Sequence, residues 1–216
     1  MSSKTLLTPL EAGKRAVDDL IFYSVYPLRE WALVKSIRQK TLANVCGELC
    51  SLRFTWQRPK KQATEEPVFL YQTLPWLLDA AWLLADAPLA ALHIERVPEK
   101  NNLFALAMFE GGIAAEIELN ECLPDSMPAT NFIKANFKHG HLTNQPVVGH
   151  FNEEGSILAD ASGMQRLVIE NPEWDDCSDE IEVCRRSMLQ AIEKGAYPAG
   201  PLNSRPIIKA IREALK

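Results

Sequence analysis

Ten glycines are spread over 216 residues, and no two of them form a G-x-G pair. The nearest approach is Gly111-Gly112. The sequence therefore lacks the glycine turn that sets a dinucleotide pyrophosphate against a helix N-terminus. It also lacks a P-loop and any recognisable Ser-His-Asp context. The five cysteines (Cys46, Cys50, Cys122, Cys177 and Cys184) never adopt C-x-x-C spacing, which argues against a zinc ribbon or a dithiol redox motif. Reduced, structural thiols in a cytoplasm fit that pattern. The N-terminal stretch MSSKTLLTPLEAGKR has neither a long apolar core nor a small-residue cleavage site, so secretion is not expected. With a formal net charge of -5 there is no basic footprint for nucleic acid.

Long apolar runs are scarce too. The one candidate membrane span is VFLYQTLPWLLDAAWLLAD, residues 68–86, and it carries Gln72, Pro75, Asp79 and Asp86. Each aspartate would cost roughly 2.5–3.5 kcal/mol at the centre of a span. A helix buried in a protein core is the expectation, with no membrane partner.

What is present is ordinary for a globular chain: 47% apolar and 24% charged residues, enough for one sizeable core. Thr8, Pro9 and Glu11 give a capping-box spacing with proline in the first turn, which predicts a helix through TPLEAGKRAVDDL. IFYSVY follows as a short β-rich run. Leu28, Trp31, Val34 and Ile37 predict a helix within LREWALVKSIRQKTL. In residues 49–57, Cys50, Leu52, Phe54 and Trp56 alternate with Ser51, Arg53, Thr55 and Gln57, the pattern of a strand with one buried face. LAALHIERV, LFALAMF and IAAEIEL predict further strands, the last two joined through Glu110-Gly111-Gly112 as a hairpin. TNFIKANFK, PVVGHF and QRLVIE extend the series. Two helices, SDEIEVCRRSMLQAIEKG and SRPIIKAIREALK, close the chain.

This order implies an α+β fold with one mostly antiparallel, open-faced sheet and helices packed on one side. LFALAMF is apolar on both faces, which points to a partner covering the other side of the sheet.

Several constellations have a plainer reading beside the chemical one. His139-x-His141 with His150 has metal-ligand spacing, but Gly140 suggests a turn and no acid or thiol is fixed nearby, so a loop is expected and no metal site. The acidic run ENPEWDDCSDE reads as a solvated lead into a helix, with acids near its positive end. Cys46 and Cys50 straddle a turn and a strand as structural thiols.

The sequence resembles the C-terminal part of the Gfo/Idh/MocA oxidoreductase family. TPLEAGKRAVDDL-IFYSVYPLREW is similar to that family's last nucleotide-domain helix and strand, with its RRFxP-like lead into the second domain. CGELCSLRFTW resembles the turn and strand that follow. Residues 68–86 resemble the segment G-G-x-L-x-D-x-G-x-H-x-x-D-x-x-x-W-L-x-G, with Asp79 on the second aspartate and Trp82-Leu83-Leu84 at the helix end. SMLQAIEKGAYPAGPLNSRPIIKAIREAL resembles the closing segment. The resemblance implies residues 1–26 as a remnant helix and strand of a nucleotide-binding domain and 27–216 as the C-terminal-like domain.

Family members transfer hydride to a nicotinamide cofactor while a base removes the substrate's hydroxyl proton. On the resemblance, the dinucleotide fingerprint has no counterpart here, and a nucleotide domain ahead of Thr8 is expected to be missing. Lys4 lies near the family's lysine position but lacks its Glu and Pro context. Gln72 and Trp76 stand where the family has its catalytic Asp and His. A carboxamide does not titrate, and an indole N–H only donates. The expectation is a stand-alone, catalytically degenerate domain with no catalytic residues, no cofactor and no metal, acting in binding or as a homodimer through the open sheet face. The alternative is a substrate-binding subunit whose partner oxidoreductase chain supplies the nucleotide domain. Tyr26, Arg29, Gln72 and Trp76 are the candidate substrate-binding residues. With Tyr23, Tyr26 and Arg29 lie where related enzymes reach their substrate cleft, and pocket, interface and plain packing stay open for them.

Overall fold

The alternation of Leu52, Phe54 and Trp56 with Arg53, Thr55 and Gln57 builds a strand in the middle of the sheet. The computed structural model describes residues 5–9, 22–97, 101–145, 156–167, 178–194 and 204–216. In chain order its elements begin with β1 (Thr5–Leu7), β2 (Phe22–Ser24), a 3-10 turn (Pro27–Glu30), α1 (Ala32–Leu42) and β3 (Leu49–Pro59). A helical segment then runs from Glu66 through a π-turn (Phe69–Thr73) into α2 (Leu74–Ala85). Next come β4 (Leu89–Arg96), β5 (Asn102–Phe109), β6 (Ala114–Leu123), β7 (Thr130–Phe137), β8 (Gly140–Thr143), β9 (Ser156–Asp160) and β10 (Gly163–Leu167). The chain closes with α3 (Ser178–Glu193) and α4 (Arg205–Ala214).

Eight strands form one sheet in the order β10-β9-β8-β7-β3-β6-β5-β4. β3 and β6 are parallel, and every other neighbouring pair is antiparallel. This is the α+β, mostly antiparallel open sheet that the sequence predicts. β1 and β2 form a separate parallel pair. Residues 10–20 of the predicted helix TPLEAGKRAVDDL and the strand PVVGHF lie outside the described residues, as do Lys4, His150 and most of the acidic run.

One face of the sheet is the core. Leu52, Phe54 and Trp56 on β3, Leu103, Ala105 and Ala107 on β5, Ala115, Ile117 and Leu119 on β6, and Ile133 and Ala135 on β7 are all buried. Against them packs α2, whose residues are all buried except Trp82. A helix that is apolar on every side belongs inside a protein, and each fully buried leucine contributes about 1.5–3 kcal/mol. α2 ends at Asp86, left-handed with φ 51°, whose N–H returns to the Trp82 carbonyl at 3.0 Å. Arg38 of α1 donates to the Leu83 carbonyl and sits 3.7 Å from Asp86, placing a cation at the negative end of the helix.

The opposite face carries a polar ladder. Arg53 donates to Glu116 through Nε at 3.0 Å and Nη2 at 2.8 Å, Gln57 to Glu118 at 2.7 Å, and Asn136 to Ser51 at 3.0 Å. Beside this ladder, Phe104 and Leu106 of β5 stand 48% and 44% exposed. The two-sided apolar character of LFALAMF is thus real: one side is core and the other faces outward.

Local details depart from the sequence reading. The helix expected from Leu28 is broken at Trp31, whose extended backbone (ψ 127°) separates the 3-10 turn from α1. β3 runs on to Pro59, and the apolar helix begins earlier, at Glu66, with the π-turn inside it. The hairpin between β5 and β6 forms as expected, with Gly111 and Gly112 at φ 84° and 87°. Gly140 is no loop residue; it opens β8 and packs so closely that an added Cβ would lie 2.1 Å from the Ala159 carbonyl oxygen.

Candidate functional site

An aspartate in the middle of an apolar helix must find a partner or lose its charge. Asp79, fully buried on α2, finds Arg29 of the 3-10 turn. Arg29 Nε donates to Oδ2 at 2.8 Å and Nη2 donates to Oδ1 at 2.6 Å, so both carboxylate oxygens are engaged in a bidentate pair. Burial pushes the Asp79 carboxyl up, and the adjoining guanidinium opposes that shift. For Arg29, burial works against the charge, but Asp79 outweighs it and the guanidinium stays protonated. The pair is an ion pair sealed in the core.

Tyr26 completes the cluster. Its ring lies 5.0 Å from the Arg29 guanidinium carbon, in cation–π range. Burial first, then the negative charge of Asp79, pushes its hydroxyl well above the ordinary tyrosine range, against the pull of Arg29 and Ser24. Cys184 of α3 donates its thiol to the Tyr26 carbonyl at 3.4 Å, and burial pushes that thiol up to about 12. The Ser204 N–H, just ahead of α4, donates to Ser24 Oγ at 2.7 Å. One short segment, 24–29, is thereby tied to α2, α3 and the start of α4.

Of the four candidate substrate residues, the structure brings Tyr26 and Arg29 into direct contact, and Arg29 reaches α2 through Asp79. Trp76 lies one turn before Asp79 on α2 and is 4% exposed, a member of the same core. Its indole Nε1 has no hydrogen-bond partner among the described residues. Gln72 is half-buried in the π-turn ahead of α2, next to half-buried Tyr71. Residue-by-residue reading missed the partnership of Arg29 with Asp79 and the supporting Ser24, Cys184 and Ser204. The usable signal was Asp79 itself, a charge where an amphipathic pattern offers no polar side.

The arrangement offers little acid–base chemistry. Asp79 has both oxygens committed, Trp76 can only donate, and Gln72 does not titrate. Among the described residues no group of three or more His, Cys, Asp or Glu side chains could hold a metal ion. His139 lies in the turn before β8, while His141 lies on the strand with its pKa lowered by burial and by Lys134. A cleft of about 310 Å³ lies elsewhere, between β4 and α4, with Leu89, Leu92, Ala210 and Glu213 in its lining. None of the four candidate residues borders it. No helix among the described residues is long and apolar enough to cross a membrane.

Solved oxidoreductases of the Gfo/Idh/MocA type share this fold. An oxidoreductase from Agrobacterium radiobacter, in complex with NAD+, L-tartaric acid and magnesium, superposes with a TM-score of 0.66 at 10% identity, over 90% of this chain and 60% of its own. An inositol dehydrogenase homolog from Azotobacter vinelandii, complexed with NADH and myo-inositol, gives 0.63 at 13% identity with coverage of 90% and 60%. UDP-N-acetylglucosamine 3-dehydrogenase GnnA from Acidithiobacillus ferrooxidans gives 0.64 at 12% with the same coverage, 90% and 60%. The chain thus spans about 60% of the length of these proteins. At such identities the likeness is one of fold. No protein-family model matches the sequence, and no curated protein sequence matches it.

Proposed function

We propose that this domain is a catalytically degenerate relative of the oxidoreductase C-terminal domain and acts in binding or oligomeric assembly. The observation that carries this reading is the state of α2. Where related enzymes need a proton acceptor reachable by substrate, this chain has Trp76, buried and able only to donate. The neighbouring charge, Asp79, is locked to Arg29. Titration with NADH and NADPH, followed by nicotinamide fluorescence, tests the reading. No saturable binding at micromolar cofactor is expected, and micromolar affinity would overturn it.

Assembly is proposed to use the open sheet face, because Phe104 and Leu106 present apolar surface there amid a polar ladder. Light scattering should show an oligomer that Phe104→Asp reduces in size by removing the face-on contact. A monomer of the unaltered chain at micromolar concentration would count against this interface.

A second reading has its own observation. Gln72 and Tyr71 sit half-buried in a π-turn, a local distortion that recurs at functional sites. In that reading the chain is a substrate-binding subunit around Tyr26, Arg29, Gln72 and Trp76, and another oxidoreductase chain supplies the nucleotide domain. Co-purification with a nicotinamide-binding chain, lost on Gln72→Ala, would favour it over the first.

A further inference from the structure

β4 is the last strand of the sheet, paired with β5 on one side and with no strand on the other among the described residues. The Val97 N–H donates to the Asn102 carbonyl at 3.0 Å, and from Ala91 onward the register runs unshifted through Ile94↔Ala105 and Arg96↔Leu103. Antiparallel alternation then turns the backbone groups of His93, Glu95 and Val97 toward β5 and those of Leu92, Ile94 and Arg96 outward. On the open face of the same strand stand His93 and Glu95, 69% and 76% exposed, with Nε2 and Oε1 3.0 Å apart. An edge of this kind is a template for another strand, and its side chains decide which strand fits.

We propose that β4 pairs antiparallel with β4 of a second copy of this chain, about a two-fold axis through Ile94. In that register Ile94 meets its own counterpart through the outward backbone groups, and Leu92 faces Arg96 across the seam. His93 faces the partner's Glu95, and Glu95 the partner's His93, in the non-hydrogen-bonded positions where side chains approach most closely. Shifting by two residues either way keeps the backbone pairing but loses this match. One shift sets the two His93 side chains opposite each other; the other sets the two Glu95 carboxylates opposite each other, which is repulsive. Only the register centred on Ile94 sets each His93 opposite a Glu95.

The helix side of the seam agrees. Leu92 borders the cleft between β4 and α4, and Glu213 is in its lining. The partner's Arg96, opposite Leu92, arrives at the mouth of that cleft while its Nη1 keeps the 2.6 Å ion pair with Glu66 of its own chain. On the other side, Leu106 and Phe104 of β5 lie opposite His93 and Glu95 of β4 and extend apolar surface alongside the new contact. This sideways joining of two sheets is separate from the face-on association proposed above, and a chain using both would form a higher assembly.

Cross-linking and charge exchange test the register. In a background of Cys50→Ser, Cys122→Ser and Cys177→Ser, the double variant His93→Cys/Glu95→Cys should form an interchain disulfide on mild oxidation, because opposed strand positions suit that bond. Either single cysteine should give roughly tenfold less cross-linked dimer. By sedimentation velocity, Glu95→Lys should weaken self-association about tenfold or more, and His93→Glu/Glu95→His should recover it. Absence of the disulfide, or an exchange variant no better than Glu95→Lys, overturns the proposal. Dissociation by Phe104→Asp with the double-cysteine cross-link intact would leave this edge standing and locate a second contact on the sheet face.

Discussion

Arg29 and Asp79, separated by 50 residues in sequence, meet in the core as a two-pronged ion pair at 2.8 and 2.6 Å. The contact joins the 3-10 turn at Pro27–Glu30 to the helix that packs in the core. Both oxygens of the only carboxylate on α2 accept from Arg29.

Removing one partner should therefore cost far more than removing both. Arg29→Met alone strands the Asp79 carboxylate in the core, an effect of about 3–5 kcal/mol, and Asp79→Leu alone takes from Arg29 its two-pronged partner. The double variant Arg29→Met/Asp79→Leu should recover most of that loss. Urea denaturation of Arg29→Met, Asp79→Leu and the double variant, read as a double-mutant cycle, checks the coupling. Additive losses would mean that the pair does not act as a unit.

Cys184 predicts an alkaline limit to stability. Burial pushes its folded thiol up to about 12 from the ordinary 9.0, so the native state holds its proton where the unfolded chain releases it. Stability is then full below about pH 9 and falls as pH rises toward 12, by on the order of 1 kcal/mol per pH unit at most. Tyr26, shifted in the same direction, adds to the decline at the upper end. Denaturation midpoints measured across this range should fall less steeply for Cys184→Ala. An unchanged slope would remove the thiol from the account.

Trp76 distinguishes a filled core from a vacant cleft. Trp76→Phe keeps most of the apolar volume and deletes an indole donor that has no partner among the described residues, so its cost should stay near 1 kcal/mol. Trp76→His puts a polar ring into the same surroundings and should cost roughly 2 kcal/mol or more. Thermal unfolding of both variants gives the comparison. Equal tolerance of Phe and His would indicate a solvated pocket at this position.

Gly140 holds the middle of the strand meander. A Cβ there would meet the Ala159 carbonyl at 2.1 Å, and that atom is backbone held in the β8–β9 pairing. Gly140→Ala should destabilise the protein by about 1–3 kcal/mol. Hydrogen exchange should show lost protection in β8, β9 and β10 before β3 and β6. Uniform protection would mean that the meander accommodates the methyl group by shifting as a body.

Much of this architecture was legible in the order of residues. Period-two alternation in 49–57 and in the paired arms around Gly111-Gly112 needs no tertiary information, because a strand with one dry face permits little else. The all-round apolar character of residues 74–85 likewise demands burial, and Asp79 within it demands a cation. What sequence could not supply was which cation. Eleven arginines and lysines lie between the start of the chain and Lys61, and local pattern does not rank them.

Tertiary structure made that choice. The 3-10 turn, broken off from α1 at Trp31, aims Arg29 at α2, and Cys184 and Ser204 reach the same segment from the far end of the chain. Local propensity also could not foresee that Gly140 would lie against a neighbouring strand, because that approach depends on β9 arriving beside β8. Periodicity fixes which side of an element is dry. Which charges meet across a dry interior depends on how the elements pack, and here that packing joined Arg29 to Asp79.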